Sequence, residues 1–194
     1  MTTLWDRSRQ VAVQAILDTA LRLFAEQGYE RTTIAQIARE SGISQRSLFR
    51  YFGTKEDLVC GDQQGLGELL KRVVREQPAE VSAWDALRAG FEAVLAEGNS
   101  TGRALELSRL IFDTPSLRSR YVEKRLRWQA ELLPIITERL EADAGPDAEL
   151  HARAIIATVF ACVDTATELW VRSDGRLAPG DLYDQCLAAV RGRD

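Results

Sequence analysis

Apolar side chains recur every three or four residues along most of the 194-residue chain. This is the spacing of helices that bury one face, and no alternating run of β-branched residues predicts a strand. Glycine and proline break the pattern into segments, which predict an all-α fold of about nine helices. We expect them over 6–27, as two short stretches within 33–53, and then over 54–76, 82–97, 101–112, 115–142, 147–172 and 180–191.

Two of the longer predicted helices contain residues that disfavour regular helix. Gly61, Gly65 and Gly67 fall within 54–76, where each costs up to ~1 kcal/mol relative to alanine. We therefore expect an irregular middle there, and this segment is the natural link if the regions on either side of it move. Pro134 lies within 115–142, where the missing N–H predicts a kink.

The stretch 33–55 carries the most specific local signals. Thr33 is a good N-cap, and Gln36 three residues later completes a capping box. Gly42 supplies the left-handed or close-approach position that ends the first short helix, and Ser44 can cap the second. Two short helices joined by a tight turn are therefore predicted.

The second of these helices has two different faces. Leu48 and Phe52 lie four residues apart, so they share an inward face. Gln45, Arg46 and Phe49 lie together on another face, with Arg50 beside them. This layout is typical of a helix-turn-helix whose second helix enters the major groove of DNA.

The distribution of charge agrees with that interpretation. The net charge is −4, but residues 1–55 hold eight Lys/Arg against five Asp/Glu, which gives +3, and the remainder holds 17 against 24, which gives −7. Arg46 and Lys55 each lie near a helix start, where a cation opposes the helix dipole at a cost of roughly 0.3–1 kcal/mol. Both would suit a phosphate backbone. The alternative is that they are solvated surface charges.

Residues 16–58 resemble the TetR family of bacterial transcriptional regulators. The rest of the chain has no comparable signature. The residues that carry the resemblance are Phe24, Gly28, Tyr29, Thr32, Thr33, Ile37, Ala38, Gly42, Ser44, Tyr51, Phe52, Lys55 and Leu58. The resemblance implies a helix-turn-helix DNA-binding domain over 1–53, and a helical effector-binding and dimerisation domain over 54–194.

The function that the resemblance implies is a ligand-responsive regulator, most simply a repressor, which binds a palindromic operator on double-stranded DNA and is released by a small-molecule effector. Bases would be contacted by Gln45, Arg46, Phe49 and Arg50, and phosphates by Thr33, Ser44, Ser47, Tyr51 and Lys55. The alternatives are an activator of the same family, a helical enzyme, and a helical small-molecule-binding protein without DNA activity.

A homodimer is expected because one helix-turn-helix reads too short a site. Members of the family usually dimerise through their last two helices, and here the apolar residues of those helices cover a broad arc. The interface prediction comprises Ile155, Val159, Phe160, Val163, Cys186, Leu187 and Val190. Ordinary packing within one chain is the alternative for these residues.

The resemblance also implies that helices four to seven enclose an effector cavity, for which an apolar, acyl or aromatic compound is the expected ligand. The predicted lining residues are Trp84, Phe91, Phe112, Tyr121 and Trp128, although large apolar side chains are more often core. A basic run could receive an anionic head group, but a solvated face is the favoured interpretation. That run is Arg118, Arg120, Lys124, Arg125 and Arg127.

Other classes of protein find little support in the sequence. His151 is the single histidine, and no GxSxG, HExxH or phosphate-loop motif is present, so no catalytic residue, metal or cofactor is expected. The three cysteines fit no zinc or CxxC spacing, which favours reduced thiols in the cytoplasm. No apolar run approaches ~18 residues and no secretory leader is recognisable, so no membrane association is expected.

Overall fold

The computed structural model describes residues 4–60, 63–99 and 103–192, which form ten α-helices and no strand. The all-α prediction is therefore confirmed. The helices are α1 (Leu4–Gln27), α2 (Ile34–Glu40), α3 (Gln45–Phe52), α4 (Lys55–Cys60), α5 (Gln63–Glu76), α6 (Ala83–Asn99), α7 (Ala104–Asp113), α8 (Pro115–Ala144), α9 (Ala148–Arg172) and α10 (Pro179–Arg191), with a 3₁₀ turn at Gly145–Asp147.

The single helix predicted over 54–76 is two helices, α4 and α5, which accounts for the tenth. The irregularity expected at Gly61 lies outside the described residues. At Gly65 and Gly67 the expectation is wrong, because both lie within α5. A Cβ at position 67 would lie 2.6 Å from the indole nitrogen of Trp128, so Gly67 serves close packing of α5 on α8.

The chain divides into two compact units, Met1–Gly61 and Asp62–Asp194. The predicted boundary after residue 53 placed α4 with the second region, but its contacts place it with the first. Leu58 and Val59 of α4 are buried, and Lys55 reaches the backbone of the α1–α2 connection. We refer to Met1–Gly61 as the head and to Asp62–Asp194 as the body.

The head is built around the long helix α1. Leu48 and Ile37, from α3 and α2, are fully buried, and Phe24 of α1 packs against Tyr29 with 5.0 Å between ring centroids. Phe52, which was expected to share the inward face of α3 with Leu48, is only partly buried. The core fixes α2 and α3 against α1 and leaves the opposite side of α3 uncovered.

The body surrounds α9, whose Val159 and Phe160 lie at the centre of the core. Phe91 of α6 meets Phe160 edge to face, with 5.0 Å between ring centroids. Helix α8 continues through Pro134, and the kink predicted there stays a prediction. Burial raises the pKa of the Cys162 thiol, which lies in the same core.

One arginine closes the end of α5. Arg139 of α8 donates hydrogen bonds to the carbonyls of Pro78 and Val81, at 2.7 and 2.9 Å. It also donates to the carbonyls of Val74 and Gln77, at 3.2 and 2.9 Å. The last carbonyls of a helix have no partners within it, so this side chain fixes the α5–α6 connection.

Segment Gly145–Arg172 is, among the described residues, long and apolar enough to cross a membrane by length and composition. Only 33% of its most apolar stretch is buried within the chain. The prediction of no membrane association rested on the lack of an unbroken apolar run of ~18 residues, and it stays a prediction, because length and composition alone are weak evidence for a membrane span. Much of the apolar surface of α9 is left uncovered by the chain itself.

Candidate nucleic-acid interface

The turn between α2 and α3 is fixed by local hydrogen bonds. The Thr33 side chain accepts a bond from the Gln36 amide at 3.2 Å, and the Gln36 side chain accepts one from the Thr33 amide at 2.8 Å, so the predicted capping box is present. Gly42 has a φ of +68°, which favours glycine. Ser44 caps α3 by accepting a bond from the Ser47 amide at 3.1 Å.

Helix α3 presents a polar face with one aromatic ring to solvent. Gln45, Arg46 and Arg50 are exposed, and Phe49 is 49% exposed. Within the described part of the chain, neither Gln45 nor Arg46 has a hydrogen-bond or ion-pair partner. Leu48, on the opposite side, is fully buried and anchors the helix. The face therefore consists of side chains that the fold itself does not use.

The residues predicted to hold phosphates differ in what they already bind. Thr33 and Ser44 are exposed at the starts of α2 and α3, and the Ser44 and Ser47 hydroxyl oxygens lie 3.0 Å apart. Tyr51 is partly buried, with the Arg50 guanidinium 5.8 Å from its ring centroid. Ser44, Ser47 and Tyr51 thus lie at the start and along α3, whereas Thr33 lies at the start of α2, and their contacts with phosphate stay a prediction.

Lys55 is the exception, because its ammonium is turned inward. Nζ donates to the carbonyls of Tyr29 and Thr32 at 3.1 and 3.2 Å, and lies 4.0 Å from the Tyr29 ring centroid. An ammonium has three N–H donors, so at least two are used within the head. The predicted phosphate contact of Lys55 stays a prediction, since a third N–H donor remains, but two donors already serve the head itself. Its first role is to join α4 to the α1–α2 connection.

The sequence alone did not predict the other hydrogen bonds at the contact between α4 and the α1–α2 connection. The Tyr29 hydroxyl donates to the Glu56 carboxylate at 3.1 Å, and the buried Thr32 hydroxyl donates to the Gly28 carbonyl at 2.9 Å. Burial, followed by the Glu56 charge, raises the pKa of Tyr29, so the phenol remains a donor. The residues Tyr29 and Thr32 stood among those that carry the family resemblance, but pattern alone did not say what they bind.

In the part of the chain that the structure describes, neither of two cavities is lined by more than one of the predicted ligand-pocket residues. Phe91 packs on Phe160, and Phe112 pairs with Tyr121 at 6.2 Å between ring centroids. Arg191 lies over Trp84, and Lys124 lies over Trp128, at 5.5 and 4.4 Å from the ring centroids. A cavity of about 20 Å³ beside Phe91 has room for little more than one water. A larger groove of about 270 Å³ includes only Trp128 of the predicted five.

The favoured interpretation of the basic run as a solvated face is wrong for Arg125. That side chain is 6% exposed, donates to the Asp164 carboxylate at 2.7 Å and to the Phe160 carbonyl at 3.1 Å. Its guanidinium carbon lies 4.4 to 5.4 Å from the ring centroids of Phe160, Phe91 and Tyr121. Arg125 is therefore a core residue.

The predicted dimer residues separate into core and surface. Val159 and Phe160 are 0% and 1% exposed within one chain, so their assignment to an interface is wrong. Val163 and Leu187 are also buried in the same core, Ile155 and Cys186 are partly buried, and Val190 is 60% exposed. The surface of α9 instead presents a different row, consisting of Leu150, Ala154, Ala157, Ala161 and Leu169.

Comparisons with known proteins agree with this architecture. A family model described as bacterial regulatory proteins of the tetR family matches residues 16–60. A second model, described as the MftR C-terminal domain, matches residues 81–193. Together they cover both units, and the second alone covers more than half of the chain. The chain belongs to the TetR family of bacterial transcriptional regulators.

Individual relatives lead to the same assignment. The transcriptional regulator TcmR of Streptomyces glaucescens is 30% identical over 186 residues, which cover 91% of this chain and 81% of TcmR. The transcriptional repressor Rv3405c of Mycobacterium tuberculosis is 31% identical over 151 residues, which cover 76% of this chain and 71% of the repressor. The solved SmeT–triclosan complex has the same fold, with a TM-score of 0.62, 18% identity and coverage of 92% and 91%.

The class of protein follows from these findings. Both units match models of one family of DNA-binding transcriptional regulators, and the exposed face of α3 lies in the helix-turn-helix that the first model covers. The family's members are regulators rather than enzymes. The chain is a transcriptional regulator with a ligand-responsive architecture, and relatives of it are named repressors.

Proposed function

We propose that this regulator represses transcription from a palindromic operator, which a homodimer binds through the exposed face of α3. The observation that carries the proposal is the row of Gln45, Arg46 and Phe49, which is exposed although Leu48 beneath it is fully buried. An exposed phenylalanine beside two hydrogen-bonding side chains suits a major groove, where a thymine methyl offers apolar contact.

Each side chain of the face has a role in this proposal. Gln45 would bond adenine and Arg46 guanine, since both side chains can make two bonds to those bases. Arg50 would contact a further base, while Thr33, Ser44, Ser47 and Tyr51 hold phosphates and set the register. Lys55 would contribute mainly by fixing α4, which its two carbonyl contacts support.

The uncovered surface of α9 supports the homodimer. Leu150 is 66% exposed and Leu169 is 38% exposed, and the exposed alanines between them permit close approach of a second helix. Exposed apolar rows of this kind mark contact surfaces. Val190 of α10 would extend the surface. Two copies related by a two-fold axis would present recognition helices roughly 34–36 Å apart, one helical turn of DNA.

An effector would act by favouring a conformer of the dimer that no longer fits two successive grooves. By thermodynamic linkage, the effector and the operator must then weaken each other's binding by the same factor. SmeT, which shares the fold, was solved in complex with triclosan. A small organic ligand is therefore the expected class of effector here, and the cytoplasm is the expected location.

A mobility-shift assay on the upstream region of the chain's own gene tests the proposal. Arg46→Ala is expected to weaken operator binding by about 1–3 kcal/mol and to relax the preference at one base pair. Arg39→Ala is the matched control, because Arg39 is an exposed arginine of the same helix-turn-helix that lies on α2. Equal losses in the two variants, or no sequence-selective binding by the unchanged protein, would remove the proposed role of α3.

A further inference from the structure

A groove of about 270 Å³ opens between α5 and α8 in the body. Its α5 wall is Gly67 and Glu68, and its α8 wall is Arg120, Lys124, Arg127, Trp128 and Glu131. The five α8 residues recur at helical spacing, so they belong to one face of that helix. The volume is slightly below the ~300–1,000 Å³ that is usual for ligand pockets, which suits a small ligand and excludes a long acyl chain.

The groove exists because the contact between α5 and α8 is made by buried apolar side chains at one end, but by Gly67 and mostly charged residues at the other. Leu70 and Val74 of α5 and Leu132 and Ile136 of α8 are fully buried, so the contact is closed there. Nearer the start of α5, Gly67 presents no side chain. The Trp128 indole occupies the space beside Gly67, and the charged α8 side chains around it extend to solvent, so a groove is left above the indole.

The charges divide into a neutralised end and a cationic end. Lys71 bonds Glu68 at 2.7 Å and Glu131 at 3.1 Å, so both carboxylates of the groove already have a cation. At the other end, Arg120 and Arg127 share one carboxylate, that of Glu123, at 2.8 and 3.9 Å. By formal charge, the lining residues Arg120, Lys124 and Arg127 outnumber Glu68 and Glu131, so the groove carries +1 in a body that is acidic overall.

The floor of the groove is aromatic and closely fitted. Trp128 is 4% exposed, and a Cβ on Gly67 would lie 2.6 Å from its indole nitrogen. The Lys124 ammonium lies 4.4 Å from the Trp128 ring centroid. A flat ligand would therefore meet the exposed rim of the indole beside Lys124, with the guanidinium groups of Arg120 and Arg127, which both lie near Glu123, at its acidic end. Arginine is suited to that role, because its planar fork matches the geometry of a carboxylate.

We propose that this groove binds a small aromatic carboxylate, with Arg127 and Arg120 bonding the carboxylate and Trp128 contacting the ring. The proposal rests on the proposed function, because it names the site and chemical class of the effector. It also moves the effector site away from the interior aromatic residues, which enclose only about 20 Å³ beside Phe91.

Isothermal titration calorimetry on the full-length protein without DNA tests the site directly. Salicylate and phenylacetate are the probes, and salicylamide is the neutral match of salicylate. We expect at least one of the two carboxylates to bind, and salicylamide to bind at least tenfold more weakly than salicylate. No binding by either acid, or equal binding by salicylate and salicylamide, would overturn the proposal.

Variants locate the binding. Arg127→Gln should weaken carboxylate binding at least tenfold, because a charge-assisted bond is lost. Arg153→Gln is the control, since Arg153 is an equally exposed arginine that pairs with Glu149 on α9. Titration should also shift the indole N–H resonance of Trp128, identified with Trp128→Phe. Equal affinities in the two arginine variants, or an unmoved resonance, would place the ligand elsewhere. Inorganic phosphate that displaces the acid at equal concentration would show that the site reads charge alone, which also overturns the proposal.

The outcome for the repressor proposal is read separately. Operator binding is measured without any acid, so a protein that binds its operator and ignores both probes keeps the proposed function and loses the proposed effector class. A protein that binds the acids but no operator loses the proposed function. If both hold, salicylate or phenylacetate should weaken operator binding, and Arg127→Gln should raise the acid concentration that gives half of that effect by the same factor as its loss of acid affinity.

Discussion

Two arginines of the head and two of the body lie in opposite environments. In the head, Arg46 and Arg50 stand exposed on α3. In the body, Arg125 is buried in the core between three aromatic rings and the Asp164 carboxylate. Arg139 donates hydrogen bonds to four backbone carbonyls. These arginines of the head are therefore available to DNA, whereas these two arginines of the body hold its helices together.

The difference has an energetic basis. An exposed charge costs the fold little, and its surface ion pairs are worth about 0–1 kcal/mol, so α3 can keep its arginines available for DNA. A buried guanidinium must recover a desolvation cost of several kcal/mol from bonds within the chain. Arg125 recovers it from Asp164, the Phe160 carbonyl and the faces of the rings. This side chain fixes α8 against α9, so its N–H groups are not available to another molecule.

Arg125→Ala is expected to have the largest effect on the free energy of unfolding. Removing one partner of a buried ion pair typically costs 3–5 kcal/mol, and since the Asp164 side chain is 43% exposed and can be hydrated, we expect about 3 kcal/mol here. The measurement is the free energy of unfolding from urea denaturation at pH 7. DNA binding by the folded fraction should be unchanged.

Arg127→Ala is the matched control for that prediction, because Arg127 lies two residues away on α8 and its side chain is 61% exposed. We expect its loss to stay within about 0.5 kcal/mol, as for other surface substitutions. Similar losses in the two variants would mean that the burial of Arg125 does not matter to stability, and the contrast between head and body would fail.

Much of the head could be predicted from the sequence because its determinants are local. The caps at Thr33 and Ser44 and the turn at Gly42 depend on residues within a few positions of each other, and all three are present as expected. Leu48 was assigned inward from helical spacing alone, and it is fully buried. Local signals of this kind need no knowledge of the rest of the fold.

The features that could not be predicted depend on distant parts of the chain. Arg125 bonds Phe160, 35 positions away, and Lys55 bonds Tyr29 and Thr32, 26 and 23 positions away. Helical spacing says which residues share a face, but not whether that face meets another helix or solvent. For the same reason Val159 and Phe160 were placed in an interface, although α6 and α8 already cover them.

Lys55→Met tests a cation of the head that, like Arg139 of the body, bonds backbone carbonyls of its own chain. Methionine keeps an apolar stem beside the Tyr29 ring and removes both carbonyl bonds, so we expect a loss of about 2 kcal/mol in the free energy of unfolding. The dependence of operator affinity on salt should keep its slope, since the ammonium is used within the head.

Arg50→Met is the control for Lys55→Met, because Arg50 is an exposed cation of α3 and its removal should leave the free energy of unfolding unchanged. A different result for Lys55→Met would contradict its role within the head. Unchanged stability, together with a salt slope that falls by about 0.9, would mean that Lys55 neutralises a phosphate. Lys55 would then join Arg46 and Arg50 as a cation of the head that is available for DNA.

Ser44→Ala tests how much of the exposed face depends on local capping. The variant removes the acceptor for the Ser47 amide, and losses at N-caps are typically about 1 kcal/mol. We expect a loss of that size in the free energy of unfolding, and weaker binding to all DNA sequences alike. Ser44→Asp should restore the stability, since aspartate also caps, but not the affinity for DNA, because it repels phosphate. Restoration of both by Ser44→Asp would contradict the phosphate role.

The smallest expected effect concerns an exposed pair that joins α6 to α10 in the body. Arg88 bonds the Asp184 carboxylate at 2.7 and 2.8 Å, and this hydrogen bond lowers the pKa of Asp184. A carboxyl whose pKa is lower in the folded chain stabilises the fold above its unfolded pKa of about 3.9, and the contribution disappears as the pH falls through the folded value. Asp184→Asn should therefore cost less than about 1 kcal/mol at pH 7, because both side chains are more than a third exposed, and almost nothing near pH 2.

Urea midpoints of the two proteins at pH 7 and pH 2 measure that difference. Glu149→Gln is the control, since its partner Arg153 lies one turn away on α9 and the pair joins no two helices. A deficit of Asp184→Asn that is as large at pH 2 as at pH 7 would show that the substitution acts through packing rather than through the charge. The pair would then resemble the buried contacts of Arg125, and exposure alone would not separate the arginines that hold helices together from those that stay available for DNA.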